Sequence, residues 1–231
     1  MISIAIPTYE SFGRGSEFLE FQFTIFKEQT YKDFEIVISD HSKNDNIEQL
    51  CAKYINVLNI NYERNEENRG NFTDNTNKAM RRCKGDIIKI LFQDDFLWDK
   101  HSLEKINNSF DKNTNWLVTS CEHTYDGINF HRTHHPKYNE LIYTGNNTIG
   151  NPSVLTVRND DNVLFFDKRM IWTVDVDYYK RLYDKFGPPT ILSDITVAIR
   201  LWAKQLTHLI PPEIKQREVD LSIKKHGKNS K

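Results

Sequence analysis

Apolar residues in this chain come in short blocks separated by polar stretches, and the spacing inside each block identifies an element. Residues 2–6 read Ile-Ser-Ile-Ala-Ile and stop at Pro7, a β-type run closed by a residue with no N–H to donate to a ladder. Residues 17–29 place Phe18, Leu19, Phe23 and Phe26 at helical spacing. Residues 34–39 form a second strand, 47–54 a short helix and 57–62 a third strand. Residues 72–83 form a helix with Asn71 as its cap, and Lys84-Gly85-Asp86 turn the chain into an apolar strand over 87–92. Strand–helix alternation of this kind predicts an α/β fold with a mostly parallel sheet and right-handed crossovers.

After Asp95 the rhythm breaks. Residues 103–110 read as a helix and 116–120 as a strand. Residues 122–151 are polar and rich in His, Asn and Gly, too long for a simple connection and therefore expected to be a functional loop or a small hairpin. Asn151-Pro152-Ser153 leads into a strand at 154–157. Residues 175–186 are helical, with Tyr178, Tyr179, Leu182 and Tyr183 on or near one face, until Pro188-Pro189 breaks the helix. Residues 195–201 are apolar again. From Pro211 onward Ile214, Val219, Leu221 and Ile223 stand among charges, which predicts a surface-packed helix. The expected organisation is one domain over residues 1–210 and a helical, basic tail over 211–231, without internal repeats.

Bulk composition narrows the function classes. The 231 residues are 38% hydrophobic and carry a formal net charge of −1. A chain of this length buries about 70% of its unfolded surface without disulfide staples, and its charge disfavours nucleic-acid binding through bulk electrostatics. Cys51, Cys83 and Cys121 are odd in number and lack metal-type spacing, so they read as reduced thiols in a cytoplasmic setting. The first residues lack the charged start and apolar length of a signal peptide, and no run approaches the roughly 18 apolar residues of a membrane span. The Asn-x-Ser/Thr matches at Asn71, Asn107 and Asn146 then read as chance.

Chemistry concentrates where strands end. Gln93-Asp94-Asp95 follows the fourth apolar strand. Ligands of open α/β sheets bind at the carboxyl ends of strands, and paired carboxylates there are hard oxygen donors suited to Mg²⁺ or Mn²⁺ holding a diphosphate. Such a pair is equally an acidic turn or the cap of a following helix. Pro7-Thr8-Tyr9-Glu10 after the first strand and Asp40-His41-Ser42-Lys43-Asn44-Asp45 after the second belong to the same sheet edge. Asp40 with Ser42 is more commonly a helix cap than a ligand. A carboxylate on the second loop can also accept the imide N–H of uracil or thymine.

Together these segments resemble a glycosyltransferase of family 2 with the GT-A fold, a Rossmann-like central sheet flanked by helices. The resemblance rests on Ile4-Ala5-Ile6-Pro7-Thr8-Tyr9, Phe34 through Asp45, Asn68-Arg69-Gly70 with Asn77 and Ala79, Gly85-Asp86 and Gln93-Asp94-Asp95. It is close over residues 2–98 and looser to about 207. It implies an inverting transfer from a nucleoside-diphosphate sugar, UDP- or dTDP-type, to a hydroxyl acceptor such as a glycan. It implies that Pro7, Thr8, Tyr9 and Glu10 line the nucleotide pocket, that Asp40 binds the base, and that Arg69, Asn71, Asn77 and Gln93 belong to the donor site. Asp94 would hold the ribose and Asp95 a Mn²⁺ or Mg²⁺ ion. Thr173-Val174-Asp175-Val176-Asp177 resembles the segment that supplies the family's catalytic base. Asp175 takes that role by alignment, with Asp177 a second candidate, while an N-cap is the plain structural alternative for Asp175.

Two positions depart from the family pattern. Gln93 stands where many members have another acid. Trp202, in Arg200-Leu201-Trp202, stands where the family has a His two residues after an Arg, and it either walls the pocket, with sugar or acceptor contacts shared with Asp177, or packs in the core. His123, His131, His134 and His135 fit no zinc spacing and read as solvated surface or an acceptor-facing loop. Lys224, Lys225, His226, Lys228 and Lys231 read as a solvated run with at most peripheral membrane contact. Two alternatives stay open: a sugar-nucleotide-binding module without turnover within a larger assembly, and a nucleotidyltransferase, for which Gly13-Arg14-Gly15 is a thin phosphate loop.

Overall fold

The computed structural model describes residues 1–227. Its strands are β1 (Ile2–Thr8), β2 (Phe34–Asp40), β3 (Ile60–Arg64), β4 (Ile87–Ile90), β5 (Phe96–Leu97), β6 (Trp116–Thr124), β7 (Leu155–Arg158) and β8 (Thr190–Arg200). The helices are α1 (Gly15–Glu28), α2 (Asn46–Tyr54), α3 (Phe72–Arg81), α4 (Ser102–Asn108), α5 (Val174–Phe186), α6 (Leu206–Leu209) and α7 (Pro212–His226). Among the described residues the strands form one sheet in the order β3-β2-β1-β4-β7-β6-β8-β5. The first four are mutually parallel, as the alternation requires, while β7 is antiparallel to both β4 and β6, and β5 is antiparallel to β8.

This order positions the site. The chain moves from β1 outward to β2 and β3, then returns past them to β4. Right-handed crossovers therefore put α1 and α2 on one face and α3 on the other. The reversal falls between β1 and β4, and the crevice beyond their carboxyl ends is the ligand site of an open sheet. Tyr9 and Gln93-Asp94-Asp95 follow those two ends. Cover on both faces explains why β1, β2 and β4 are near-continuous apolar runs with every residue of β2 and β4 buried. Glu35, buried within β2, is satisfied by the Ser3 hydroxyl at 2.6 Å and the Lys84 N–H at 2.7 Å.

Several elements depart from the periodicity. β3 starts three residues later than expected. β6 runs on to Thr124, and its end pairs with the returning chain: Cys121 N–H donates to His134 O at 3.0 Å and His134 N–H to Cys121 O at 2.8 Å. The front of the polar 122–151 segment is thus a hairpin. β8 begins at Thr190, straight after Pro188-Pro189. Its first half is largely exposed and only residues 196–200 are fully buried, so the apolar pattern revealed half a strand.

The C-terminal helix differs most. The buried positions of α7 are Glu218, Ser222 and His226, a polar stripe at i, i+4 and i+8, while Ile223 is exposed. Glu218 accepts the backbone N–H groups of Ile171, Trp172 and Thr173 at 2.8–3.1 Å. Lys225 and His226 do not read as a solvated run, because both contact Asp177, at 2.7 and 2.8 Å. Lys228 and Lys231 lie outside the described residues. No described helix is long and apolar enough to cross a membrane.

Candidate active site

The acidic turn after β4 is held from three sides. Gln22, on the otherwise apolar face of α1, directs its amide nitrogen at the backbone oxygens of Phe92 and Asp95. Gln93 accepts the Tyr9 N–H at 3.0 Å and the Ser11 hydroxyl at 3.1 Å, and its amide nitrogen donates to Gly15 O at 2.8 Å. A carboxylate at 93 has no proton for that last bond, so the amide straps the 9–15 loop to the turn. Gly15 is required by the same approach, since a Cβ there would lie 2.2 Å from Tyr9 O. Within this loop Ser11 and Phe12 have φ of 45° and 56°, a left-handed conformation that costs about 1–3 kcal/mol per residue and gathers at ligand sites.

Asp94 and Asp95 face different surroundings. Asp94 lines a cavity of about 630 Å³ together with Pro7, Thr8, Tyr9, Glu10 and Gln93. One of its oxygens accepts the Trp202 indole N–H at 2.9 Å; the other has no side-chain partner among the described residues. Asp95 is enclosed, with one oxygen taken by the Arg200 N–H at 3.0 Å and the other by the Asn151 amide at 2.8 Å. Burial, above all, pushes both carboxyls above the ordinary carboxylate range, and the negative charge of Asp94 adds to the rise at Asp95. Removing that charge repulsion would favour the ionised pair, which is what a cation between such groups does.

Trp202 is neither loose nor simply core. It lies edge-on to Phe18 with ring centres 5.3 Å apart and to Phe12 at 6.2 Å. The chain after it returns across the cavity, so Lys204 and Thr207 join Lys43 and Arg69 on the lining.

Asp175 lines the same cavity and also a second chamber of about 500 Å³. Its neighbours are the Asn147 amide at 2.6 Å and the Val176 N–H at 2.8 Å. Burial pushes its carboxyl up to about 6. Thr173, not Asp175, is the N-cap of α5, and Glu218 satisfies the N–H groups that precede this helix. Asp175 thus stands in the first helical turn, on the cavity wall, without serving as the cap.

A protein-family model described as glycosyl transferase family 2 matches residues 3–172 of this sequence. The chain belongs to glycosyl transferase family 2. Over 96 residues, 41% of this family 2 chain, it is 29% identical to the poly(ribitol-phosphate) beta-N-acetylglucosaminyltransferase TarS of Staphylococcus aureus, of which the match covers 16%. It is 29% identical over 97 residues to glycosyltransferase GlyG of Streptococcus pneumoniae, covering 31% of that protein. The chain thus spans well under half of the curated relatives it matches. Among solved structures, S. aureus TarS 1-349 in complex with UDP-GlcNAc superposes with a TM-score of 0.73 at 19% identity, over 96% of this chain and 66% of that one. The mannosyltransferase PcManGT of Pyrobaculum calidifontis, in complex with GDP-Man and Mn²⁺, gives 0.71 at 13% identity over 100% of this chain and 65% of that one. The two superpositions establish the GT-A fold.

Within this glycosyltransferase fold the residues named from sequence separate into two groups. Pro7, Thr8, Tyr9, Glu10, Arg69, Gln93, Asp94, Asp175 and Trp202 meet on one cavity. Asp40, Asn71, Asn77, Asp95 and Asp177 do not line it. Asp40 is fully enclosed, accepting the Thr8 hydroxyl at 3.1 Å, the Ser42 N–H at 2.9 Å and the Tyr62 hydroxyl at 2.9 Å. Asn71 caps α3 through the Asp74 N–H. Asn77 both donates to and accepts from the Phe166 backbone at 2.8 Å, a clamp remote from the cleft. Asp177 is buried against Arg181, Lys225 and His226.

Other working residues escaped sequence reasoning. Asn75 bridges the strand ends, donating to Thr8 O and accepting from the Ser39 hydroxyl. Gln22 and Asn151 orient the acidic turn. A polar residue on an apolar helix face was the available signal for Gln22; Asn151 carried none. Among the described residues no cluster of three or more His, Cys, Asp or Glu side chains suited to a metal exists, the histidines of the hairpin included.

Proposed function

We propose that this chain is a metal-dependent, inverting glycosyltransferase that moves a sugar from a UDP- or dTDP-type donor to a hydroxyl of a glycan or similar acceptor. One observation carries the reading: Asp94 and Asp175 border a single cavity, and Asp175 alone of the two also borders a second chamber. A donor in the first and an acceptor in the second would meet at Asp175. TarS with UDP-GlcNAc and PcManGT with GDP-Man and Mn²⁺ support a nucleoside-diphosphate sugar as the donor class.

The residues fit a hard divalent cation. Mg²⁺ and Mn²⁺ are commonly held by one or two carboxylates, with donor phosphates and water completing the shell. Asp94, which faces the cavity with one oxygen lacking a side-chain partner, would hold the ion, and Asp95 would join it only by releasing the Asn151 amide. When bound, the ion offsets the charge that builds on the departing diphosphate. The protein does the rest. Lys43, Arg69 and Lys204 add positive charge along the cavity, Tyr9 offers a ring to the base, and Asn147 orients Asp175. The Asp175 carboxylate takes the acceptor hydroxyl's proton as that oxygen attacks the anomeric carbon, and a single in-line displacement inverts the configuration.

The metal role has a direct test. Asp95→Ala removes the charge and also leaves the Arg200 N–H and the Asn151 amide without their acceptor, so the expected sharp loss of donor binding in Mn²⁺ is read beside a melting curve that shows the variant folded. Full activity in this variant, or indifference of the wild type to a chelator, would remove the metal from the proposal. Slow donor hydrolysis by the wild type separates an enzyme from a binding module, a reading that the Trp202–Asp94 bond keeps in play.

Base preference is the second expected result. Asp40 stands behind Thr8, and to accept a uracil imide N–H it must release the hydroxyl of Thr8 or Tyr62. Calorimetry is expected to show UDP or dTDP bound more tightly than ADP. Equal or tighter binding of ADP would sink the assignment; GDP is the informative competitor, because guanine also offers N–H donors.

A further inference from the structure

The second chamber has a chemistry of its own. Side chains alternate across a strand, so Cys121 and His123 of β6 face the chamber while Glu122 between them turns away and pairs with Thr133. The hairpin brings Arg132 and His134 back beside them. Asp175 is the single carboxylate on the chamber wall, among the described residues. Arg132 is exposed, and its guanidinium has no carboxylate or hydrogen-bond partner among the described residues; only its backbone oxygen is engaged, by His123 Nδ1 at 2.8 Å.

The two imidazoles are oriented by backbone oxygens. His123 Nδ1–H donates to Arg132 O, and His134 Nε2–H donates to Ile149 O at 3.1 Å. Burial pulls His123 below the ordinary histidine range, so its other nitrogen is an acceptor at neutral pH. Such nitrogens suit hydroxyl groups. An unpaired guanidinium suits a planar or tetrahedral oxyanion, which it grips with two parallel N–H groups.

Building on the glycosyltransferase reading, we propose that this chamber is an acceptor site selective for an acidic sugar or polyol, whose hydroxyls meet His123 and His134 and whose phosphate or carboxylate is held by Arg132. The acceptor hydroxyl then reaches Asp175 with its charged group kept away from the base, on the hairpin side. The hairpin is the specificity element, and Arg132 is its charge reader.

The test follows the imidazole resonances of His123 and His134 by NMR while glucose 6-phosphate, glucuronate or glucose is titrated in, with UDP filling the first cavity. Both anionic sugars are expected to shift these resonances and to bind roughly 10- to 100-fold more tightly than glucose. Comparison of the two reveals whether phosphate or carboxylate is the preferred group. Arg132→Met is expected to abolish the preference and Arg132→Lys to keep part of it; both substitutions are at an exposed position, and circular dichroism checks the fold. Equal binding of glucose, absence of shifts with both anions, or an unchanged preference in Arg132→Met overturns the proposal. Failure of UDP to bind in calorimetry counts against the enzymatic reading instead, and the anion titration repeated without UDP still reads the chamber.

Discussion

Replacing Asp175 with Asn lowers the transfer rate by about 10²–10⁴-fold, the usual loss when a general base is removed, and leaves donor affinity nearly unchanged. Asn matches Asp in size, and its carbonyl still accepts from the Asn147 amide that holds the native carboxylate at 2.6 Å. What it lacks is a site for the acceptor's proton. The wild type carries a second signature. With its carboxyl pushed up to about 6 by burial, Asp175 is ionised and competent above that pH and progressively protonated below it, so kcat/KM falls on the acid side near pH 6. Donor binding by calorimetry, transfer rate and a melting curve on the same variant separate the roles. Near-normal transfer would reduce Asp175 to a residue of the first helical turn; lost stability together with lost donor binding would make its role structural.

The second large effect lies away from the cleft. Asp177 receives Arg181 at 2.8 Å, Lys225 at 2.7 Å and His226 at 2.8 Å, and is fully buried. Burial pushes its carboxyl up, but the His226 hydrogen bond and the Arg181 and Lys225 charges outweigh that and hold it at about 2. Asp177→Asn leaves cationic groups facing a neutral amide, and breaking a buried pair this way costs about 3–5 kcal/mol. Because the folded-state value is depressed, the contribution is present above the unfolded value of about 3.9 and disappears as pH falls toward 2. Urea unfolding is expected to show a wide gap between wild type and variant at pH 7 that closes between pH 4 and 2. A variant that is equally stable at pH 7 but has lost transfer would shift the base role to Asp177.

Asp175 and Asp177 show why sequence alone could not apportion the site. Two residues apart in one acidic motif, they are indistinguishable by residue type. Asp177 is claimed by Lys225 and His226, which lie nearly fifty positions downstream. Asn75 and Asn77 repeat the lesson on α3: the one named from the motif clamps the Phe166 backbone, and its neighbour joins the strand ends.

Some features needed no partner to be read. The apolar runs of β1, β2 and β4 are local, because a strand buried on both faces has little room for polar side chains. Alternation with helices then determined the parallel half of the sheet, and the sheet determined that Tyr9 and the acidic turn share one edge. Tertiary structure decided the remainder. β8 shows only its buried half in the apolar pattern, and the inward stripe of α7 is polar, its Glu218 satisfying the backbone just ahead of α5. Polar groups pack inward only where a partner from elsewhere in the chain meets their hydrogen bonds. That partner is a long-range fact, so Asp95 with Asn151, Trp202 with Asp94, and Glu218 with residues 171–173 came into view only when the chain was folded.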